Sequence, residues 1–212
     1  MIPLYYKHTN ITHPIFKGND NMSANQAINR LKRGNERFVL GKPEHPNSNM
    51  VRVNQLSHSQ HPFAATLSCS DSRVAPEIIF DQGLGDLFEV KNAGNVLDKP
   101  TIGSLEYAVS HLGVKLIVIM GHDDCGAIKT TIKNKKQNSI YLNSITHYIY
   151  PSVKQAKKES LDVTHTAAEK NFINTAKKLL TKSKTISYAV KNNGVKIVPA
   201  MYDVETGHVE FY

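Results

Sequence analysis

The chain has 212 residues, of which 40% are hydrophobic and 21% charged, and a formal net charge of +8. This length can bury one sizeable core, so we predict a single domain over residues 1–212, with an irregular arm at 1–22. No apolar run approaches the roughly 18 residues of a membrane-spanning helix. The first twenty residues lack the apolar core of a secretory signal. We therefore expect a cytoplasmic protein without a membrane partner, or a periplasmic one if an upstream signal was removed.

The positive charge is concentrated in three lysine-containing segments, at 129–136, 154–158 and 170–184. The last two also carry apolar residues at helical spacing, which is typical of lysines on the solvated face of a helix. The chain has neither a finger spacing nor a platform of aromatic and basic residues that would bind nucleic acid. We therefore expect no nucleic-acid partner.

The N-terminal part of the chain predicts one helix followed by a loop. Ser23 is suited to cap the helix, and Gly-Lys-Pro at 41–43 ends it. The apolar residues that recur between them near helical spacing are Ala27, Leu31 and Phe38. Residues 43–62 are predicted to form a loop with a short helix at 51–58.

From residue 63 onward, short apolar runs alternate with helical patterns. The runs predicted as strands are 63–67, 87–90, 116–120 and 195–201. The helical patterns are 76–80, 101–112, 126–133, 140–161 and 167–191. The third run, Leu-Ile-Val-Ile-Met, is apolar on both faces, as a strand buried in a parallel sheet must be. The alternation predicts an α/β fold, and residues 200–212 predict an edge hairpin.

Two turns that follow predicted strands carry the two cysteines of the chain. They read Cys-Ser-Asp-Ser-Arg at 69–73 and Gly-His-Asp-Asp-Cys-Gly at 121–126. Two cysteines in a secreted protein would suggest a disulfide instead. If both strands belong to one parallel sheet, however, Cys69, His122 and Cys125 converge at its carboxyl edge. Two thiolates and one imidazole suit zinc and leave a fourth tetrahedral position for water, so we predict a catalytic zinc ion.

The first turn also places a carboxylate and a guanidinium two residues apart, at Asp71 and Arg73. Such a pair forms charge-assisted, often bidentate hydrogen bonds. The alternative is a salt bridge that only stabilises the turn and contributes little. Beside a metal, Asp71 can accept a hydrogen bond from the metal-bound water while Arg73 holds the carboxylate off the metal.

These residues resemble the β-class carbonic anhydrases. Cys-Ser-Asp-Ser-Arg-Val at 69–74 and Gly-His-x-x-Cys-Gly at 121–126 match the two signature motifs of that family in order and separation. The likeness extends through 87–96, which contains Lys-Asn-Ala-Gly-Asn, and through Glu-Tyr-Ala at 106–108. It implies a central four-stranded, mainly parallel sheet flanked by helices, with an N-terminal helical arm and a C-terminal edge strand. It also implies a homodimer, often paired into a homotetramer, with active sites at the dimer interface.

The resemblance assigns roles to individual residues. Cys69, His122 and Cys125 correspond to the zinc ligands, and Asp71 with Arg73 to the catalytic dyad. The positions that correspond to substrate contacts, several of them across the dimer interface, are Gln60, Phe88, Ala93, Tyr107 and Gly126.

Two departures from the family concern regulation. Some members bind bicarbonate at a second site built by a tryptophan, an arginine and a tyrosine, but here Thr66 and Lys91 occupy the tryptophan and arginine positions. We therefore predict that this regulation is absent and that the zinc stays open to water. In the regulated members the counterpart of Asp71 swings onto the zinc at low pH, and the sequence leaves open whether Asp71 does so here.

The implied reaction is the reversible hydration of carbon dioxide to bicarbonate and a proton, by attack of zinc-bound hydroxide. One alternative is the hydrolysis of another small heterocumulene on the same scaffold. A second is a zinc-stabilised module that binds anions or nucleic acid. That module would need a fourth protein ligand to close the zinc site, and the chain has no third cysteine.

Overall fold

A computed structural model of the chain describes residues 22–133 and 138–212, so the arm predicted at 1–22 lies outside the described residues except for Met22. The strands are β1 (Ala64–Cys69), β2 (Leu87–Asn92), β3 (Leu116–His122), β4 (Lys196–Tyr202) and β5 (Val209–Phe211). They form one sheet of order β2-β1-β3-β4-β5, in which β5 alone is antiparallel to its neighbour. The predicted α/β fold, with four parallel strands and a C-terminal edge strand, is therefore confirmed.

Helices flank this sheet throughout the described part of the chain. They are α1 (Ala24–Val39), α2 (Met50–Gln55), α3 (Pro76–Ile79), α4 (Lys99–Ser110), α5 (Gly126–Ile132), α6 (Ile140–Glu159), α7 (Val163–Lys182) and α8 (Lys184–Asn192). The single helical stretch predicted at 167–191 is wrong, because Ser183 ends α7 and caps α8 by accepting a hydrogen bond from the amide of Ile186. The predicted first strand ended too early, since its pairing with β2 continues to Cys69 opposite Asn92.

The two central strands carry the metal-ligating candidates. All residues of β1 and of β3 are buried, as expected for strands with neighbours on both sides and helices on both faces. The strands run parallel, with Ser68 paired to Met120. Their carboxyl ends, Cys69 and His122, therefore lie at the same edge of the sheet.

Each face of the sheet buries a separate hydrophobic cluster. Helices α4 to α8 cover the face that carries Ala65, Leu67 and Cys69. Helix α1 packs on the opposite face, where Leu31 meets the cluster that contains Phe80. Helix α1 begins with a capping box formed by Ser23 and Gln26. Within residues 22–133 and 138–212, no helix is both long and apolar enough to cross a membrane.

Candidate metal centre

Three buried side chains from two neighbouring turns meet at the carboxyl edge of the sheet. Cys69 ends β1, His122 ends β3, and Cys125 is the N-cap of α5. The sulfurs of Cys69 and Cys125 are 4.0 Å apart, and one ligand atom from each of the three residues lies within 4.8 Å of the other two. The convergence predicted from the sequence is thus present.

The geometry of this group fits a tetrahedral metal ion. A sulfur separation of 4.0 Å excludes a disulfide, whose bond length is about 2.05 Å. Two sulfurs bound to one tetrahedral ion at about 2.3 Å are about 3.8 Å apart. Both ring nitrogens of His122 are buried without a hydrogen-bond partner among the described residues. Burying unpartnered polar atoms is unfavourable, so a ligand for the imidazole is needed.

Cys69 sits where its thiolate is stabilised. The pKa of the Cys69 thiol is lowered to about 4. The hydrogen bond with the Cys125 side chain contributes most to this shift, and burial opposes the shift. The amides of Gly94 and Asp71 also donate to the Cys69 sulfur, at 3.3 Å and 3.4 Å. The hydrogen bond to Cys69 is the largest cause that raises the pKa of Cys125, followed by burial and by the charge of Cys69. Without a metal, the two sulfurs therefore retain one proton, which a bound cation would displace.

Gly94 is a supporting residue that the sequence reasoning missed. Its φ of +75° lies in the left-handed region, and a Cβ at this position would come within 2.6 Å of Cδ1 of Ile149. The buried Asn171 side chain on α7 donates to the Gly94 carbonyl at 2.9 Å. A glycine within the Lys-Asn-Ala-Gly-Asn segment was the available signal for a tight turn at the metal centre.

Asp71 and Arg73 form the bidentate pair that the sequence predicted. The Arg73 guanidinium donates to Oδ1 of Asp71 from Nε at 3.0 Å and to Oδ2 from Nη2 at 2.9 Å. These bonds hold the pKa of the Asp71 carboxyl well below its usual range. Oδ2 of Asp71 lies 4.0 Å from Nε2 of His122, so the ionised carboxylate borders the metal position.

The five residues assigned to substrate contacts comprise two pairs and Gln60. Gly126 and Ala93 are exposed and adjoin the cluster, because Gly126 follows Cys125 and Ala93 precedes Gly94. Phe88 and Tyr107 pack together instead, with ring centroids 6.0 Å apart, and Tyr107 stacks on His111. Gln60 is exposed in the segment before β1.

Comparison with known proteins identifies the class. A profile of the carbonic anhydrase family matches residues 64–209. Carbonic anhydrase 2 of Mycobacterium tuberculosis is 38% identical over 180 residues, which span 84% of this chain and 87% of that protein. The chain belongs to the carbonic anhydrase family, whose reaction is the hydration of carbon dioxide.

Solved structures identify the β class within this family. A β-carbonic anhydrase of Aspergillus fumigatus superposes with a TM-score of 0.69 at 27% identity, over 87% of this chain and 89% of that chain. A tetrameric β-carbonic anhydrase of Sordaria macrospora gives a TM-score of 0.68 at 26% identity, over 75% and 84% of the two chains. The protein is thus an enzyme of the β class, as its motifs indicated.

Proposed function

We propose that this enzyme binds zinc through Cys69, His122 and Cys125 and hydrates carbon dioxide at the fourth coordination position. The observation that supports the proposal is the buried pair of cysteines beside the His122 imidazole, which has no hydrogen-bond partner in the part of the chain that the structure describes. A bound zinc ion supplies a Lewis acid that lowers the pKa of a coordinated water from about 15.7 towards neutrality. Three protein ligands leave one position for that water, as in catalytic zinc sites.

In this proposal Asp71 orients the nucleophile. Its ionised carboxylate can only accept hydrogen bonds, so it accepts one from the nucleophile and directs the lone pair of the nucleophile towards carbon dioxide. Arg73 keeps Asp71 in this role, because the two bonds from its guanidinium occupy both carboxylate oxygens. Gly126 leaves room for the substrate, since apart from its chain neighbours and its own helix backbone no described atom lies within 4 Å of the position its Cβ would take.

We further propose that Phe88, Tyr107 and Gln60 line the site of a second subunit. Phe88 pairs with Ala65, four residues before Cys69 on β1. It therefore lies about 13 Å along the strand from the metal position of its own chain. Strand β2 is an edge strand of the described sheet and carries Phe88, which packs against Tyr107 on α4. The tetrameric state of the Sordaria relative supports assembly into dimers or tetramers.

The test is stopped-flow carbon dioxide hydration combined with zinc analysis, on the wild type and on Cys125→Ser. We expect the variant to lose its zinc. Its kcat should fall by more than about 100-fold, a larger effect than is usual for residues that only support the metal ligands. The matched control is Ser72→Ala, at an exposed position in the turn after Cys69. This variant should keep its zinc and its activity. Full activity in a zinc-free Cys125→Ser enzyme would falsify the proposal.

A further inference from the structure

Arg73 binds a second carboxylate besides Asp71. Its Nη1 lies 3.5 Å from Oδ2 of Asp124, on the edge of the guanidinium that does not face Asp71. The two carboxylates therefore use different nitrogens and do not compete for the same donor. Asp124 is positioned to restrain the rotation of the guanidinium.

Asp124 is itself held in place. Its φ of +55° is left-handed, a conformation that aspartate and asparagine tolerate better than most residues. Its Oδ1 pairs with the ammonium of Lys129, on the first turns of α5. The amide of Lys129 bonds to the carbonyl of Cys125, which ties this ion pair to the turn that carries the ligands. Asp124 thus connects Arg73, in the turn after β1, to the turn after β3.

The restraint matters because Arg73 has little packing of its own. The Arg73 side chain is 46% exposed. Oδ2 of Asp71 is 4.0 Å from Nε2 of His122, so a modest rotation of the carboxylate would bring it onto the metal position. The contacts that fix the guanidinium therefore also determine the fraction of time for which the Asp71 carboxylate occupies the metal position.

We propose that Asp124 is a positioning residue that acts through Arg73 to keep Asp71 off the metal. This inference rests on the proposed function, in which an open fourth position is required. Among the described residues, loss of the Asp124 charge leaves Asp71 as the one carboxylate paired with Arg73, and the pair then moves together more freely. Asp71 occupies the metal position for a larger fraction of the time. Because carbon dioxide is not a metal ligand in this scheme, closure removes active enzyme and lowers kcat without changing KM.

The test uses Asp124→Asn in the metal-loaded enzyme. Asparagine keeps the size of the side chain and tolerates the same backbone conformation, but it removes the charge. We expect loss of the ion pair to shift the equilibrium towards the closed site by about two- to fivefold, the range usual for one exposed ion pair. At a pH where closure leaves the wild type half-maximally active, kcat should therefore fall by about 1.5- to threefold, with KM unchanged. The affinity of the cobalt-substituted enzyme for azide, read from its visible spectrum, should fall by the same factor. Glu159→Gln, which removes the exposed carboxylate paired with Lys170 at 2.8 Å, is the control and should change neither quantity.

A double-mutant cycle decides whether the effect passes through Asp71. In an Asp71→Ala background nothing can close the site, so adding Asp124→Asn should leave azide affinity unchanged. An equal loss in both backgrounds, or no loss in either, would overturn the role given to Asp124. The role of Asp124 can fail this test while Cys125→Ser is inactive and free of zinc. In that case the proposed function still stands. Wild-type kcat in Asp71→Ala would instead remove the proposed role of Asp71 and this inference with it.

Discussion

Glu89 is a carboxylic acid placed in the sheet by β2, and its Oε1 is buried without a hydrogen-bond partner in the described part of the chain. Burial, followed by the hydrogen bond and the charge of Glu77, raises the pKa of Glu89 to about 8, and Lys91 opposes this rise. The folded state therefore keeps a proton that the unfolded chain loses above its ordinary pKa of about 4.3. By linkage, this group makes the folded state less stable as pH rises from about 5 to 8.

The corresponding prediction concerns Glu89→Gln, which mimics the protonated acid. The variant should match the wild type near pH 4.5 and exceed its free energy of unfolding by about 1–2 kcal/mol at pH 8 to 9, after allowance for solvent screening. Urea unfolding of the metal-loaded enzyme across this range measures the difference. The exposed Glu205→Gln serves as the control for loss of a charge and should show no such divergence. A constant offset at every pH would contradict the assigned proton.

The sequence predicted the site residues that depend on strand order and missed those that depend on backbone conformation. Cys69 and His122 end neighbouring parallel strands, and strand order alone brings such ends together. Gly94 and Asp124 both adopt left-handed backbone conformations. The glycine in the Lys-Asn-Ala-Gly-Asn segment signals a turn, but residue spacing does not show that this turn reaches Cys69 or that Asp124 reaches Arg73.

At the scale of secondary structure, helix α1 depends on one close contact. A Cβ on Gly34 would lie 1.7 Å from the carbonyl oxygen of Phe80, so the helix backbone rests directly on the end of α3. Gly34→Ala should therefore force α1 away from the sheet and cost about 3 kcal/mol of stability. Thermal unfolding of the metal-loaded enzyme measures this cost.

The matched control for this prediction is Gly103→Ala, in helix α4. Within residues 22–133 and 138–212, no atom beyond the chain neighbours and the backbone of α4 lies within 4 Å of the Cβ it would add. Alanine is also favoured over glycine in a helix by up to about 1 kcal/mol. That variant should be as stable as the wild type or more so. Equal stability of Gly34→Ala and Gly103→Ala would contradict the packing of α1 on Phe80.

Periodicity predicted the elements better than their ends. Strand β3 was recognisable because a strand buried on both faces is apolar along its length, and the other parallel strands contain shorter apolar runs. The break at Ser183 depends instead on a cap. The Ser183 hydroxyl also donates to Glu106 on α4, a partner 77 residues away. No local pattern around residue 183 contains that information.

At the scale of the whole molecule, the proposed sharing of pockets predicts complementation between inactive subunits. Cys125→Ser removes the metal of the subunit that carries it. Phe88→Ala impairs the pocket that this subunit is proposed to contribute to the site of its partner. A hybrid dimer of the two variants keeps one intact site, formed by the metal of one subunit and the Phe88 of the other. Random mixing should therefore restore about a quarter of the wild-type activity. The measurement is carbon dioxide hydration by co-expressed variants.

The control mixture combines Cys125→Ser with Cys69→Ser, which damage the same half of the site. It should stay inactive, since neither subunit can hold the metal. Equal activity of the two mixtures would show that Phe88 serves its own chain.

The two cysteine sulfurs at the metal centre belong to residues 56 positions apart along the chain. An unfolded chain that held one ion through both sulfurs would have to close this loop, at an entropic cost of about 4 kcal/mol. The folded sheet has already brought the two ends together, so the proposed ion would bind to it far more tightly than to the unfolded chain. Such an ion would act as a reversible cross-link between β1 and the segment that follows β3. Chelation should thus lower the thermal midpoint of the protein as well as its activity.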